Sequence, residues 1–469
     1  MLRRQFLTTT GSALALGAVT AALPAGSAAA KPIVLRAAPA RAALLDKAKQ
    51  AAVWAYDGKV PGPTLRVRQG ERLQVSFENG LEQPSTVHWH GIRIDNAMDG
   101  VANLTQEAVA PGGHFDYAFT PPDAGTYWYH PHSRTWEQMA RGLYGLLIVE
   151  EAQAQAVDRD LALVFDDWRL TEDGQIDEAS LGAMRDWSHA GRLGNWLTVN
   201  GVSQPEIPVH AGERLRLRLA NCSNARVLSL RLDGHAAWLM ALDGQPVPPA
   251  QPDDGVITLA PAQRADLMVD AGLGPGARSP ILEVSGEYAV ETAYLAYQPG
   301  RVEGADRAPA PEPLPANPLP TKLDLAEALR QGLLMEGGAM GRMAGARHKG
   351  KDMGMRELVG QGMAWALNGT AGMPETPLLR ARRGRTVVID MLNETAWPHA
   401  MHLHGHHFRV IERNGEAQAG TPWRDTVLME RDERVAIAFV ADNPGKWMLH
   451  CHMLEHQAAG MATWIEVLG

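Results

Sequence analysis

Three Greek-key β-sandwich domains, in an all-β chain, are what the 469 residues predict. Period-two apolar alternation recurs behind glycine turns, 47 glycines and 31 prolines punctuate the chain, and long amphipathic helical runs are few. The length allows two to four domains with separate cores, and 45% apolar with 21% charged residues is ordinary for a globular protein.

Taken in order, residues 1–30 read as an export signal. Arg3-Arg4 followed by Phe6-Leu7 is similar to a twin-arginine signal, and small residues end the stretch at Ala28–Ala30. An ordinary secretory signal with two incidental arginines is the alternative. The apolar run is broken by Pro24 and is too short to span a bilayer, and no later segment qualifies. A periplasmic bacterial protein, exported by the twin-arginine machinery, is therefore expected. Net charge is −9, and removing Arg3 and Arg4 leaves the remainder more acidic still. That disfavours nucleic acid and suits small cations or neutral substrates.

The domains come next. "GERLQVSF" from Gly70, "GERLRLRL" from Gly212 and "GRTVVIDM" from Gly384 each read as a strand entered through a turn. The copies stay in register: His88 lies 18 residues after Gly70 and His402 lies 18 after Gly384, while the middle copy has Leu230 there. "AFTPPDAGTYWYHPH" and "AFVADNPGKWMLHCH" align too, with His130 and His450 each 11 residues beyond Phe119 and Phe439. This is an internal repeat whose middle copy kept the fold without the histidines. The domains are placed at residues 40–152, 157–298 and 364–469. Between the last two, residues 299–363 include "RAPAPEPLPANPLPT", an extended and semi-rigid linker. "KLDLAEALRQGLLMEGG" then reads as one short helix closed by glycine, and a flexible Gly/Met tract follows.

Four clusters carry the chemistry: "HWHG" (88–91), "HPH" (130–132), "HAMHLHGH" (399–406) and "HCHMLEHQAAGM" (450–461). On a strand, residues i and i+2 share a face and i+1 takes the other. His450 and His452 therefore face one way and Cys451 the opposite way, so a single strand touches two metal sites. Cys451 with His399, His456 and a weak axial Met461 is the ligand list of a blue-copper electron-transfer centre. On the other face, eight imidazoles (His88, His90, His130, His132, His402, His404, His450 and His452) suit a copper cluster held between the first and third domains. Any one cluster alone reads equally as surface or core histidines; four together, in matching positions of two repeats, do not. A structural zinc site rarely needs eight histidines plus a Cys-His-Met set. His114, His189, His210, His235, His348 and His407 lack such company and read as solvated or core, and His406 falls outside both sets. With Cys451 as a ligand no disulfide is available, and Cys222 reads as a small buried hydrophobe.

These four motifs in this order resemble the three-domain multicopper oxidases: laccases, bilirubin oxidases and bacterial cuprous oxidases of copper resistance. The likeness spans nearly all of the chain after residue 30, including "YDGKVPGPTLRV" and the "RDTV" segment at Arg424–Val427. It implies cupredoxin-like domains and four copper ions. Type 1 copper would take His399, Cys451, His456 and Met461, and type 2 copper His88 and His402. One type 3 copper would take His90, His130 and His452, and its partner His132, His404 and His450. The resemblance further implies one-electron oxidation of substrate at the type 1 site and four-electron reduction of O2 to water. Electrons would run from Cys451 through His450 and His452, making these three catalytic together with Asp99, which matches the family acid that assists proton delivery. A turn aspartate before Gly100 is the other reading of Asp99. The chain departs from its relatives at Gln457, where many have an acid, leaving another carboxylate or water to relay protons, with Glu455 one candidate. The proline of the third motif is displaced, and Thr395 and Trp397 replace the Asp and Met of the best-known cuprous oxidases.

For substrate, Met335, Met340, Met343, Met353, Met355 and Met363 crowd a glycine-rich stretch, and thioethers favour Cu(I). Their place before domain three resembles the Met-rich insert of cuprous oxidases; gap-filling methionine is the alternative. The expectation is a multicopper oxidase acting on Cu(I) and more slowly on small phenols. A laccase-like phenol oxidase without a dedicated Cu(I) site is a second reading, and a periplasmic copper-sequestering protein a third.

Overall fold

The glycine-led segments are all strands, Leu73–Asn79, Arg214–Asn221 and Arg385–Asn393, in a computed structural model that describes residues 32–45, 48–153, 155–302 and 310–469. The expected export signal at 1–30 lies outside the described residues. Gly70, Gly212 and Gly384 hold φ of 79°, 87° and 83°, the left-handed region that a side chain disfavours. Leu73, Val75 and Phe77 are buried behind the first turn and Val387, Ile389 and Met391 behind the third, whereas the middle strand, Arg214–Asn221, is buried on both faces.

The same neighbours surround each of these strands. An earlier strand runs parallel to it: Ile33–Ala42 in the first copy, Arg159–Trp168 in the second and Leu329–Gly337 in the third. An antiparallel partner lies on its other side: His114–Phe119, Arg264–Asp270 or Arg434–Ala441. A second sheet in each copy also contains a parallel pair, Leu65–Arg68 with Gly145–Glu150, Glu206–Ala211 with Val290–Arg301, and Leu379–Arg382 with Ala462–Leu468. Apolar inner faces close each pair of sheets over its own core. The architecture is all-β: three cupredoxin-like sandwiches of one topology.

The repeat sets the histidine register. His88 stands directly across from His130, and His402 across from His450. Leu230, the middle copy's counterpart, is fully buried in that domain's core.

The third sandwich corrects the sequence reading. The segment expected to form a short helix contains the strand Leu329–Gly337, paired along its length with Arg385–Asn393. Gly332 weakens a helix here, and Leu333, Met335 and Gly337 are buried alternately with half-exposed Leu334 and Glu336. Domain three thus begins at Leu329 and not at residue 364, and the first and second sandwiches likewise extend to Ile33 and Arg301. Nor is the Gly/Met tract a flexible linker. It is an insertion between the first and second strands of domain three, folded as a hairpin (Gly345–His348 with Lys351–Gly354) and a one-turn-plus helix, Met355–Gly360. Domain two carries an insertion in the same topological slot, between Arg159–Trp168 and Trp196–Val199, containing the short helix Met184–Ser188.

The described part of the proline-rich linker is anchored. Asn317 donates to the Ala124 carbonyl (2.8 Å) and to Gln245 (2.9 Å), and Arg93 donates to the Pro318 carbonyl (3.1 Å), so it touches two sandwiches as it passes. Among the described residues no helix is long and apolar enough to cross a membrane.

Met335 is fully buried in the third core and pairs with Leu367. It therefore leaves the set of accessible thioethers. Met335→Ala should lower unfolding stability by about 2–5 kcal/mol through the cavity it leaves. Urea titration checks this; an unchanged midpoint would contradict the strand assignment.

Candidate metal centre

Cys451 closes the strand Gly445–Cys451 and points into the third core. Its Sγ lies 3.5 Å from His399 Nδ1 and 3.7 Å from His456 Nδ1, and the two Nδ1 atoms are 3.0 Å apart. The far side of each ring decides its tautomer. His456 Nε2–H donates to the His189 carbonyl (2.7 Å). His399 Nε2–H meets Thr395 Oγ1 (2.8 Å), whose own hydrogen goes to Asn393 Oδ1 (2.7 Å). Both Nδ1 atoms therefore present lone pairs to one another, which is repulsive unless a cation lies between them. Burial pushes the Cys451 thiol up to about 12, and His456 down to about 4. A thiolate here needs a positive partner, and neutral imidazoles are ready to ligate one. Met461 borders the same pocket, fully buried, with its carbonyl accepting from Cys451 N–H (3.1 Å) and its N–H donating to the His456 carbonyl (2.9 Å). Trp365 roofs the site, 4.4 Å from the His456 ring and 5.1 Å from His399.

On the opposite face of the same strand, His450 and His452 join six other rings between domains one and three. His88 Nδ1–H donates to the Asp99 carbonyl (2.7 Å) and His402 Nδ1–H to the Asp425 carbonyl (2.9 Å), leaving both Nε2 atoms buried and unpartnered. His450 Nδ1–H donates to the Cys451 carbonyl (2.9 Å) and His404 Nδ1–H to the Asp99 carboxylate (3.0 Å). Their Nε2 lone pairs then face each other at 3.1 Å. His130, committed to the Pro131 carbonyl, faces His452 Nε2 at 3.4 Å. In each of the triads His88/His90/His402, His90/His130/His452 and His132/His404/His450, the ligand atoms lie within 4.8 Å of one another. Burial, reinforced by neighbouring rings, holds His90, His130, His132, His404, His450 and His452 well below the usual histidine range. These are neutral nitrogen donors with nothing to donate to, and the donor set fits copper.

Multicopper oxidase family models match residues 39–154, 160–277 and 349–468, one per sandwich. The multicopper oxidase MmcO of Mycobacterium tuberculosis is 30% identical over 447 residues, covering 88% of this chain and 82% of that protein. This chain belongs to the multicopper oxidases. Among solved structures, the multi-copper oxidase of Pseudomonas thermotolerans superposes with a TM-score of 0.81 at 32% identity, over 94% of this chain and all 100% of its own. Lac15, from a marine microbial metagenome, gives 0.74 at 37% identity, over 93% and 100%. The oxidase is thus a copper-dependent oxidoreductase that uses oxygen.

Residues that the sequence reading did not single out hold the cluster in place. Asp425, quoted only within "RDTV", accepts from His90 Nε2 (3.3 Å) through its carboxylate and from His402 through its carbonyl. Its charge partner comes from domain two: Arg264 grips both carboxylate oxygens, at 3.0 and 2.6 Å, and also donates to the Thr126 carbonyl of domain one (3.1 Å). Burial pushes the Asp425 carboxyl up, but Arg264 and His90 outweigh it and hold it well below the usual range. Gly91 of "HWHG" is needed beside this pair. Its φ is 84°, and a Cβ there would come 2.4 Å from Asp425 Oδ2 and 2.5 Å from Arg264 Nη2. His189, read as solvated or core, supplies the carbonyl that orients His456. Asp99 lies at the cluster edge, against His404 and, at 3.3 Å, His88. Glu455 instead faces domain two, accepting from Asn224 (2.8 Å) and the Arg192 N–H (3.1 Å).

Arg264→Met would leave Asp425 charged, buried and unpaired. Denaturant unfolding of copper-free protein should show a loss of about 3–5 kcal/mol, with Arg264→Met/Asp425→Asn recovering part of it. An unaltered curve for the single variant would remove the pair from the account.

Proposed function

We propose that the oxidase removes electrons singly from Cu(I), and more slowly from small phenols, at the Cys451 set, and reduces O2 to two waters at the histidine cluster. Four copper ions would be held: one by His399, Cys451, His456 and Met461, one by His88 and His402, and a pair by His90, His130 and His452 with His132, His404 and His450. Bound copper would supply one-electron exchange at the first set and oxygen reduction at the second. The observation that carries this reading is the meeting of lone pairs, His399 against His456 at 3.0 Å and His404 against His450 at 3.1 Å, on opposite faces of one strand.

The chain's own residues have definable tasks. Cys451 is covalently continuous with His450 and His452, and its carbonyl also takes the His450 Nδ1–H, so two short paths join the faces. Asp99, with its carboxylate against the His404 Nδ1–H, is the acid placed to hold and pass protons at the cluster. Glu455, tied to domain two, does not fill the gap left by Gln457. Trp365 and Trp397 cover the Cys451 set, and Trp397 Nε1–H donates to the Ala339 carbonyl (3.0 Å) at the start of the methionine insertion. Small phenols have a cleft of about 380 Å³ beside this cover, lined by His189, Trp397, Arg185 and Asp186. Export to a bacterial periplasm, through the twin-arginine route that Arg3-Arg4 suggests, would place the enzyme where Cu(I) has to be detoxified.

Oxygen uptake by copper-loaded protein, with Cu(I) and with a dimethoxyphenol, tests the substrate order; faster uptake with the phenol would reverse it. Cys451→Ser should abolish the intense visible band and turnover with both substrates while the far-ultraviolet dichroism stays native. Fewer than four coppers in fully loaded wild-type protein would defeat the ligand assignment.

A further inference from the structure

The charges in the cleft beside the Cys451 cover do not balance. At about 380 Å³ it is at the small end for ligand pockets, and Arg169, Arg185, Asp186, His189 and Trp397 are among the residues that line it. Asp186 is already engaged: Arg169 holds both its carboxylate oxygens, at 2.6 and 3.2 Å, and also donates to the Leu193 carbonyl (2.9 Å). The acids behind the cleft are engaged too, Asp167 by Arg226 (2.8 Å), and Glu455 by Asn224 and the Arg192 N–H. Arg185 is exposed, and among the described residues no carboxylate is paired with its guanidinium. On a chain of net charge −9, this cleft therefore presents an uncompensated cation.

Its neighbours are aromatic. Arg185 and His189 stand four residues apart along the helix Met184–Ser188 and its C-terminal end, so they share one face, and the His189 Nδ1–H donates to the Arg185 carbonyl (3.0 Å). The His189 ring lies 5.3 Å from the ring of Trp397, which makes one wall of the cleft aromatic. The His189 carbonyl accepts the His456 Nε2–H (2.7 Å), so a substrate ring resting on that wall is one residue and one hydrogen bond from a member of the Cys451 set. A flat wall beside an unpaired guanidinium fork recognises an aromatic ring that carries an anionic tail.

We infer that Arg185 selects carboxylate-bearing phenols, single rings of the hydroxybenzoate or hydroxyphenylpropanoate kind, over neutral ones; this rests on the phenol reading above and narrows its substrate class. The carboxylate meets the Arg185 guanidinium while the ring lies on Trp397 and His189. Each phenol loses one electron to the Cys451 set and its hydroxyl proton to solvent at the cleft mouth, and leaves as a phenoxyl radical. Four such oxidations release four electrons and four protons, which convert one O2 to two waters. Arg185 grips the tail and touches no reacting atom, so its role is specificity.

The test uses copper-loaded full-length enzyme and a dimethoxyphenol bearing a propanoate side chain, compared with its methyl ester; the saturated tether keeps the ring chemistry of the two alike. Oxygen uptake should give wild type a KM for the acid about fivefold below that for the ester, a preference that shrinks as ionic strength rises. Arg185→Lys should keep most of this ratio, Arg185→Gln should bring it close to one, and Arg185→Glu should invert it. Reading the ratio cancels any general loss of activity, and copper content and the visible band report an intact fold. The same acid with its phenol oxygen methylated cannot be oxidised this way, and calorimetry should show its affinity falling by a similar factor in Arg185→Gln. An acid-to-ester ratio equal in wild type and Arg185→Gln, or one indifferent to salt, overturns the role of Arg185. Arg185-dependent binding of the methylated acid, in an enzyme that oxidises neither phenol, overturns the phenol reading and leaves the anion subsite standing.

Discussion

Arg264 sits where the three sandwiches meet, and its guanidinium has no water to turn to. It is bidentate to Asp425 of domain three, donates to the Thr126 carbonyl of domain one, and reaches the Ala262 carbonyl of its own domain (3.0 Å). Desolvating two such charges costs several kcal/mol each, and only this near-complete set of donors and acceptors offsets it. The cluster depends on the result. Asp425 orients His90 by its carboxylate and His402 by its carbonyl, so the rings that converge between domains one and three are aimed from domain two. The ligand-free middle copy is a brace rather than a spacer. Further contacts join it to domain three, among them Arg424 to Asp243 (2.9 Å), Gln263 to the Thr426 carbonyl (2.9 Å) and Asn224 to Glu455 (2.8 Å).

Burial and tautomer together make the two donor sets usable. A water-exposed imidazole near neutral pH is partly protonated and rotates freely. Here most of the rings spend one nitrogen on a fixed acceptor, most often a backbone carbonyl, and the apolar surroundings keep the other nitrogen unprotonated. Orientation is then set by the backbone, as in the Nδ1–H bonds of His88, His130, His402 and His450. Thr395 does for His399 with a hydroxyl what these carbonyls do elsewhere, which gives a physical role to one of the positions where the chain differs from cuprous oxidases.

Much of this was legible before any coordinates. The repeat register placed His88 with His130 and His402 with His450, and strand alternation put Cys451 on one face with His450 and His452 on the other. Those inferences succeed because they rest on short-range geometry repeated in two copies. Leu329–Gly337 was misread because its local composition favours a helix, while its parallel partner lies more than fifty residues away; tertiary pairing overrode propensity. Asp425 and Arg264 were invisible for a related reason: a single acid and a single arginine carry no periodicity, and their pairing crosses a domain boundary. Only the restricted space above Gly91 left a trace, as the glycine of "HWHG".

The two insertions that share a topological slot meet over the Cys451 set. Ala339 N–H, from domain three's insertion, donates to the Ser188 carbonyl of domain two's (2.6 Å), and Trp365 Nε1–H donates to the Trp187 carbonyl (2.5 Å). Both segments leave from and return to strands at the edge of the scaffold, so neither carries a histidine of the Cys451 set or of the eight-ring cluster. On the proposed function, the fold would thereby separate the part that chooses a reductant from the part that consumes oxygen. Lengthening, trimming or exchanging either insertion is a change that lineages can explore without disturbing the ligand strands, and one such architecture can serve metal ions in one cell and aromatic compounds in another.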